Sequence, residues 1–387
     1  MNQARTLIYV SHMISLHDRP YLQVAKTFFQ KVHLVTFYGK PFPSWLSDFT
    51  SIEVIDLWEE GRAYDDPDEE RYRSLVDRWS IQWSLWKYKE KFNDLMRKMN
   101  PSILHGTWVP TDGYLCARAG VHPLIITPLV TDIVQKPKVS KRLHQIVHET
   151  LRKADRVIVD CQWAKAQVLQ RYPDFSSDKC EVIPRPVDLT IFSPALRALK
   201  SSAYVPILVC NRHFEDLYDH QTLFSALDLL PRDLNYQLLL TGSGVLEPVL
   251  QARANQSPWR DRVKFMGRLK NASEVAELVK SSDIYITSSK QDGTSSSLIE
   301  AMACGLPSIV TNVGGNPEWI EEGKTGFLFP VGDVSLLAEH LKTLILNSTL
   351  RLDMGKAARK IVEERAHPSR FQEAVIKVYG QLLSKPK

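Results

Sequence analysis

Two carboxylates eight positions apart, Asp292 and Glu300, bracket the small-residue run Gly293-Thr294-Ser295-Ser296-Ser297. An apolar strand precedes this run and the apolar segment LIEAMAC follows it, so backbone N–H groups at a helix start are left facing whatever binds there. Such a start carries about half a positive charge, and the lack of bulky side chains lets a diphosphate approach the amides. Asp292 at the loop entrance and Glu300 about two turns further on are placed to accept hydrogen bonds from hydroxyls. A nucleotide sugar presents groups in the matching order: sugar hydroxyls, diphosphate, ribose hydroxyls. Taken alone, the same residues also suit a plain strand-to-helix turn.

The elements that must position these residues alternate along almost the whole chain. Short β-branched runs are followed by longer amphipathic stretches, the pattern of helices covering a parallel sheet. Strands are expected at residues 6–10, 32–37, 52–57, 103–105, 124–128, 156–160 and 181–183. They resume at 206–210, 237–240, 263–266, 284–287 and 308–310 after a segment, LRALKSSAY, with no apolar strand. Two doubly wound domains of similar size are the simplest account. They are expected over 1–190 and 205–370, with a linker over 191–204 and a C-terminal helix over 371–387 that crosses back to the first domain.

The run SSKQDGTSSSLIEAMACGLPSIVTNVGGNPEWIEEGKTGFLFPVGD joins an acidic residue, a Gly, six further residues and a Glu to AMACGLPSIV, GGNPEWI and a G-x-T-G turn. It resembles the signature of the retaining glycosyltransferases of family 4, which have the GT-B fold of two facing Rossmann-like domains. KCEVIPRPVDLTIFSP is similar to that family's interdomain segment, ILVCNRHF to the first strand of its donor domain, and SRFQEAVIKVYGQLL to its C-terminal helix. The first third of the chain is the least family-like.

The resemblance implies transfer of a hexose or N-acetylhexosamine from a UDP- or GDP-linked donor to an acceptor hydroxyl, with retention of configuration and no cofactor. The acceptor would be a glycan, a lipid-linked glycan or a small molecule, bound by the first domain. Asp292 would hold the transferred sugar, the amides of residues 293–297 the phosphates and Glu300 the ribose. Arg212 matches the arginine with which the family clamps the diphosphate, where charge-assisted bonds are worth roughly 1.5 to 3 kcal/mol. The lysine that usually follows is absent from HFEDLYDHQTL, and Arg268 or Lys290 could supply a second positive charge. Gly242, in the TGSG turn after a strand, could add a phosphate or ribose contact or be a bare turn. Domain closure about Pro184-Arg185-Pro186 would exclude water.

Acceptor groups are expected at strand ends of the first domain. His105 in SILHGTW and Asp132 in PLVTDI occupy such ends, and could bind sugar hydroxyls or serve as core and loop residues; His105 is also carried as a catalytic candidate beside Asp292 and Arg212. Leu129 stands where the family often has a histidine. His12, His17 and Asp18 lie in the first strand-to-helix loop, where many relatives have a Gly-Gly turn, so this loop is expected to serve a particular acceptor, with Asp18 as its candidate ligand.

Other features narrow the class. With 44% hydrophobic and 24% charged residues, the composition is that of an ordinary folded protein. Basic and acidic residues number 26 and 23 through Asp188 and 23 and 21 beyond it, so neither half is a polycation and nucleic acid is not an expected partner. Five scattered cysteines without a C-x-x-C pair argue against a zinc site or a disulfide framework and suit a reducing cytoplasm. The N-terminal apolar run lacks the features of a signal peptide, and no stretch approaches the ~20 apolar residues that span a bilayer. DDPDEE at 65–70 contains the Asp-x-Asp of metal-dependent transferases but reads as an acidic helix start, so no metal is expected. The following stretch carries Trp79, Trp83 and Trp86, then Lys87, Lys89 and Lys91, with Tyr88, Phe92, Leu95 and Met99 at helical spacing. It is either a core helix with a solvated basic face or a contact with the inner face of a membrane. Two rival functions stay open: a same-fold nucleotide-sugar epimerase, and a non-catalytic subunit of a glycosyltransferase complex.

Overall fold

A computed structural model describes residues 5–12, 14–37, 42–57, 88–195 and 204–384 of the chain. The acidic run at 65–70, the tryptophans at 79, 83 and 86 with Lys87, and most of the expected linker lie outside them.

The chain divides into two compact units, residues 1–183 with 371–387, and residues 184–370. The first holds a seven-stranded sheet: β1 (Thr6–Val10), β2 (Lys31–Thr36), β3 (Ile52–Asp56), β4 (Ile103–Thr107), β5 (Leu124–Thr127), β6 (Arg156–Val159) and β7 (Cys180–Val182), in the order β3-β2-β1-β4-β5-β6-β7. The second holds β8 (Ile207–Asn211), β9 (Gln237–Thr241), β10 (Val263–Phe265), β11 (Ile284–Thr287), β12 (Ser308–Thr311) and β13 (Gly326–Phe329), in the order β10-β9-β8-β11-β12-β13. Every pairing is parallel. Both sheets therefore run outward in two directions from their first strand, and both reverse order between the first and fourth strands. Parallel sheets covered on both faces read as continuous apolar runs. Leu7, Ile8, Tyr9 and Val10 of β1 are accordingly fully buried, as are Ile284, Tyr285 and Ile286 of β11.

Three details differ from the sequence expectation. The edge strand β13 lies in GFLF, at the end of the G-x-T-G turn, where no strand is expected from the sequence; its pairing to β12 from Ser308–Gly326 to Thr311–Phe329 completes the second sheet. The boundary falls after Ile183 rather than near 190, because Val187 and Phe192 pack into the core of the second unit with Leu306 and Met302. Arg359 also donates to the Phe192 carbonyl at 2.8 Å. The last helix starts earlier than expected, spanning Pro368–Leu383.

That helix buries Phe371, Val375, Val378, Tyr379 and Leu382 in the apolar layer of the first unit, beside Tyr21 and Phe29. Phe371 meets the Tyr21 ring at 5.0 Å and Tyr379 the Phe29 ring at 5.1 Å, both edge-on. The described part of the basic aromatic stretch, 88–99, is helical and packs Tyr88, Phe92 and Met96 in the core of the same unit, with Lys89 and Lys91 exposed. Its apolar stripe is thus a core face. Among the described residues no helix is long and apolar enough to cross a membrane.

Candidate functional site

In an open α/β sheet the crevice for a ligand opens beyond the carboxyl ends of the strands, where strand order reverses. In the second unit that point lies between β8 and β11, and Arg212 and Asp292 follow those two strands. Arg212 Nη2 donates to Asp292 Oδ2 at 2.5 Å, and Nη1 donates to Ser295 Oγ at 2.8 Å and Ser297 Oγ at 3.0 Å. Its guanidinium lies 4.2 Å from the ring centroid of Tyr218, a cation–π contact. Both partners of the ion pair are mostly shielded, with side chains 11% and 14% exposed. Burial works against the charge on Arg212, but Asp292 outweighs it and holds the guanidinium firmly protonated.

The loop that presents Asp292 is built on backbone rather than on side chains. Gly314 has φ +55, and a Cβ there would stand 1.7 Å from the Asp292 carbonyl oxygen, so only glycine fits. Gly315 N–H donates to the Gly293 carbonyl at 3.2 Å, which fastens the GGN segment to the loop. Ser295 then caps the helix Ser296–Ala303 by accepting from Leu298 N–H at 3.4 Å. Ser297 is fixed from the core side by the Tyr285 hydroxyl at 2.8 Å. Thr294, Ser295 and Ser297 are buried, while Gly293 and Ser296 remain partly open. Glu300, further along the helix, is held up at a pKa of about 7: burial raises it and the charge of Arg212 counteracts only partly.

Residues 292–297, Arg212 and Glu300 therefore form one cluster with a cation, a helix start and two carboxylates. The sequence reading missed Tyr218 and Tyr285, for which no local pattern signals a role. The GGN motif is visible in the sequence, but the seating of the Asp292 loop on Gly314 is not.

Two other donor candidates are placed differently. Gly242 donates its N–H to the Gly267 carbonyl at 3.1 Å, so that amide is not available to a phosphate. The role of Gly242 is close packing, since a Cβ would come within 2.4 Å of the Arg212 carbonyl oxygen. Arg268 is exposed after the edge strand β10, two strands from β8. Lys290 does lie near the cluster, with Nζ 2.6 Å from Asp216 and its N–H donating to the Leu217 carbonyl at 2.8 Å.

The three acceptor candidates of the first unit are corrected by the structure. His105 is fully buried, with Nδ1 3.1 Å from the Tyr379 hydroxyl and Nε2 2.6 Å from Thr127 Oγ1. Burial lowers its pKa to about 3, so it is a neutral core histidine under the C-terminal helix, not a catalytic or sugar-binding group. Asp18 spends both oxygens on its own surroundings, accepting from Tyr9 Oη at 3.0 Å, Ser11 Oγ at 2.9 Å and Ser15 N–H at 2.7 Å. Asp132 accepts from the N–H groups of Leu129 and Val109 at 3.1 and 3.2 Å, and burial raises it to about 6. Both aspartates hold loops together. Among the described residues no group of three or more His, Cys, Asp or Glu side chains is gathered as a metal site.

Residues 199–361 match the family described as Glycosyl transferases group 1, and residues 52–191 match Glycosyltransferase Family 4. Among curated proteins, the chain is 32% identical over 181 residues to N-acetyl-alpha-D-glucosaminyl L-malate synthase of Bacillus anthracis, covering 47% of each chain. It is 30% identical over 217 residues to D-inositol 3-phosphate glycosyltransferase of an Arthrobacter species, covering 53% of this chain and 51% of that one. The chain thus spans about half the length of the curated relatives it matches. Among solved structures, sucrose-phosphate synthase from Thermosynechococcus elongatus superimposes with a TM-score of 0.78 at 21% identity over 98% of this chain and 99% of that one. Anabaena HepE, solved with UDP-glucose, does so with a TM-score of 0.74 at 16% identity over 97% and 100%. The two doubly wound sheets and the two matched segments place the chain in the group 1 glycosyltransferases of GT-B fold.

Proposed function

We propose that the protein transfers a hexose or N-acetylhexosamine from a nucleoside diphosphate sugar to an acceptor hydroxyl with retention of configuration. The observation that carries this reading is the convergence of the Arg212 guanidinium with Asp292, Ser295 and Ser297 at a helix start on the switch point of the second sheet. A diphosphate arriving there takes over the guanidinium, and Asp292 is released to accept hydrogen bonds from hydroxyls of the sugar. Arg212 and the amides at Thr294–Ser297 absorb the charge that develops on the departing diphosphate, the kind of fixed electrostatic stabilisation that counts most in a shielded site. Glu300 accepts from the ribose. In this reading the acceptor hydroxyl attacks on the face from which the diphosphate leaves, and neither a protein nucleophile, a metal nor a cofactor is required. Anabaena HepE was solved with UDP-glucose, which favours a uridine donor as the first to try.

A panel of UDP- and GDP-sugars tests the reading by thermal stabilisation and by slow donor hydrolysis, which water supports when no acceptor is present. Stabilisation with release of the nucleoside diphosphate is expected for one donor. Release of epimerised sugar nucleotide without hydrolysis would favour the epimerase reading, and no response to any donor would favour a non-catalytic subunit.

A further inference from the structure

The first unit carries at its own switch point a pair that mirrors Arg212 and Asp292. His12 follows β1 and Asp112 follows β4, the two strands between which the order of the first sheet reverses. His12 Nδ1 lies 2.8 Å from Asp112 Oδ2, and the same oxygen accepts the His12 backbone N–H at 2.9 Å. Asp112 is nearly inaccessible at 2% while the His12 side chain is 31% exposed, so the carboxylate is a fixed anchor and the imidazole the open end. With Nδ1 engaged, Nε2 is the atom left for a ligand, and among the described residues none is bonded to it. The Trp108 ring stands edge-on to the imidazole at 5.6 Å and remains partly accessible. Trp108 itself has φ +42, a left-handed conformation that a bulky residue seldom adopts outside functional sites.

We infer that His12, oriented by Asp112 and flanked by Trp108, binds a hydroxyl of a neutral sugar or polyol through Nε2. Resting on the transferase reading, this ligand is the acceptor. A neutral ligand follows from the charges that face His12: Asp112 from the segment after β4, Asp132 from the segment after β5 and Asp18 from its own loop. Burial lowers the imidazole pKa, yet these three carboxylates more than reverse it. They leave the imidazole no net positive surplus with which to attract an anion. A hydroxyl can be served in either protonation state, because Nε2 accepts its hydrogen when neutral and donates to its oxygen when protonated. The apolar face of a sugar ring suits the neighbouring indole.

The test follows the ¹⁵N-labelled imidazole of His12 by NMR in the full chain, with the signal assigned by its loss in His12→Gln. Glucose, galactose, mannose, N-acetylglucosamine and myo-inositol form the neutral arm, and glucose 6-phosphate and malate the anionic arm. At least one neutral compound is expected to shift the signal saturably, and calorimetric titration with that compound is expected to show an affinity about five- to tenfold weaker in His12→Gln than in the wild type. Asp112→Asn is expected to weaken it similarly by freeing the ring. Nucleoside diphosphate affinity, measured separately, should stay within twofold in both variants, and unchanged circular dichroism and thermal melts show that the first unit, which holds both positions, is folded. A shift by the anionic arm only, by neither arm, or an unchanged affinity in His12→Gln overturns the assignment. Absence of nucleotide binding in the wild type would instead refute the transferase reading and leave the sugar site standing.

Discussion

Arg212 and Asp292 close on each other at 2.5 Å across 80 residues of sequence, so the cation suited to a diphosphate is neutralised by the carboxylate suited to its sugar. In the proposed reaction the two roles would be coupled through this contact, since a ligand that took over the guanidinium would set the carboxylate free. A mostly shielded ion pair of this kind contributes little net stability when intact, but removing one partner strands the other.

Asp292→Ala is therefore expected to separate binding from turnover. Loss of the competing carboxylate should leave nucleoside diphosphate affinity equal to or higher than wild type, while turnover of the nucleotide sugar falls by about a hundredfold or more. The uncompensated guanidinium should also lower the melting temperature, and saturating nucleoside diphosphate should restore much of that loss by mass action. Calorimetric titration and thermal melts read both effects; unaltered turnover in a folded variant would remove Asp292 from the site.

Arg212→Ala should weaken a nucleoside diphosphate by roughly ten- to a hundredfold, the magnitude of a charge-assisted pair of bonds. The matching nucleoside without phosphates should bind the variant as it binds wild type. Equal losses for the two ligands in parallel titrations would mean that Arg212 supports the pocket as a whole instead of meeting the phosphates.

Much of this second-unit site was legible because its parts are contiguous. A strand, a run of Gly, Thr and Ser, and a helix follow one another directly between 284 and 303, and the periodicity of apolar runs gave every strand of both sheets except β13. The strands of the first unit were legible too, but its acceptor candidates were not, for a physical reason. A histidine followed by glycine at a strand end looks the same whether it faces a crevice or a covering helix, and His105 is decided by Tyr379, 274 residues away. Asp18 and Asp132 likewise carry no sequence sign of whether they accept from a ligand or from their own loops. Asp112 finds His12 at a separation of 100 residues, and only the reversal of strand order at β1 and β4 brings the two loops together.

In the proposed ribose role, Glu300 would make nucleotide binding depend on pH. Its carboxyl is raised from 4.5 to about 7 in the folded protein, so the folded chain holds that proton more tightly than the unfolded chain. Its contribution to stability is complete below pH 4.5 and is lost as pH rises toward 7, at no more than about 1.4 kcal/mol per unit. The ionised form accepts hydrogen bonds from the ribose hydroxyls more strongly than the protonated form, so affinity for the nucleoside diphosphate should rise between pH 6 and 8. In Glu300→Gln that rise should flatten, with affinity at pH 8 below wild type. A wild-type affinity that does not change over this window, after allowance for phosphate ionisation in the Gln variant as control, counts against the ribose role.

Gly314→Ala tests whether the donor site depends on backbone contact alone. The added methyl would overlap the Asp292 carbonyl oxygen, 1.7 Å away, at a residue whose φ of +55 already disfavours any side chain. The conflict cannot be relieved by rotating a side chain, so the 292–297 loop has to move, and with it the oxygens that Arg212 grips. Nucleoside diphosphate affinity should fall at least tenfold, and the protein should be destabilised by about 2 kcal/mol or more, the usual range for strain at a special backbone position. Gly323→Ala is the matched control, because Gly323 has φ +71 but no atom near its Cβ position: it carries the conformational strain without the collision. Nucleotide affinity equal in the two variants would show that the loop tolerates displacement and that Gly314 does not seat Asp292.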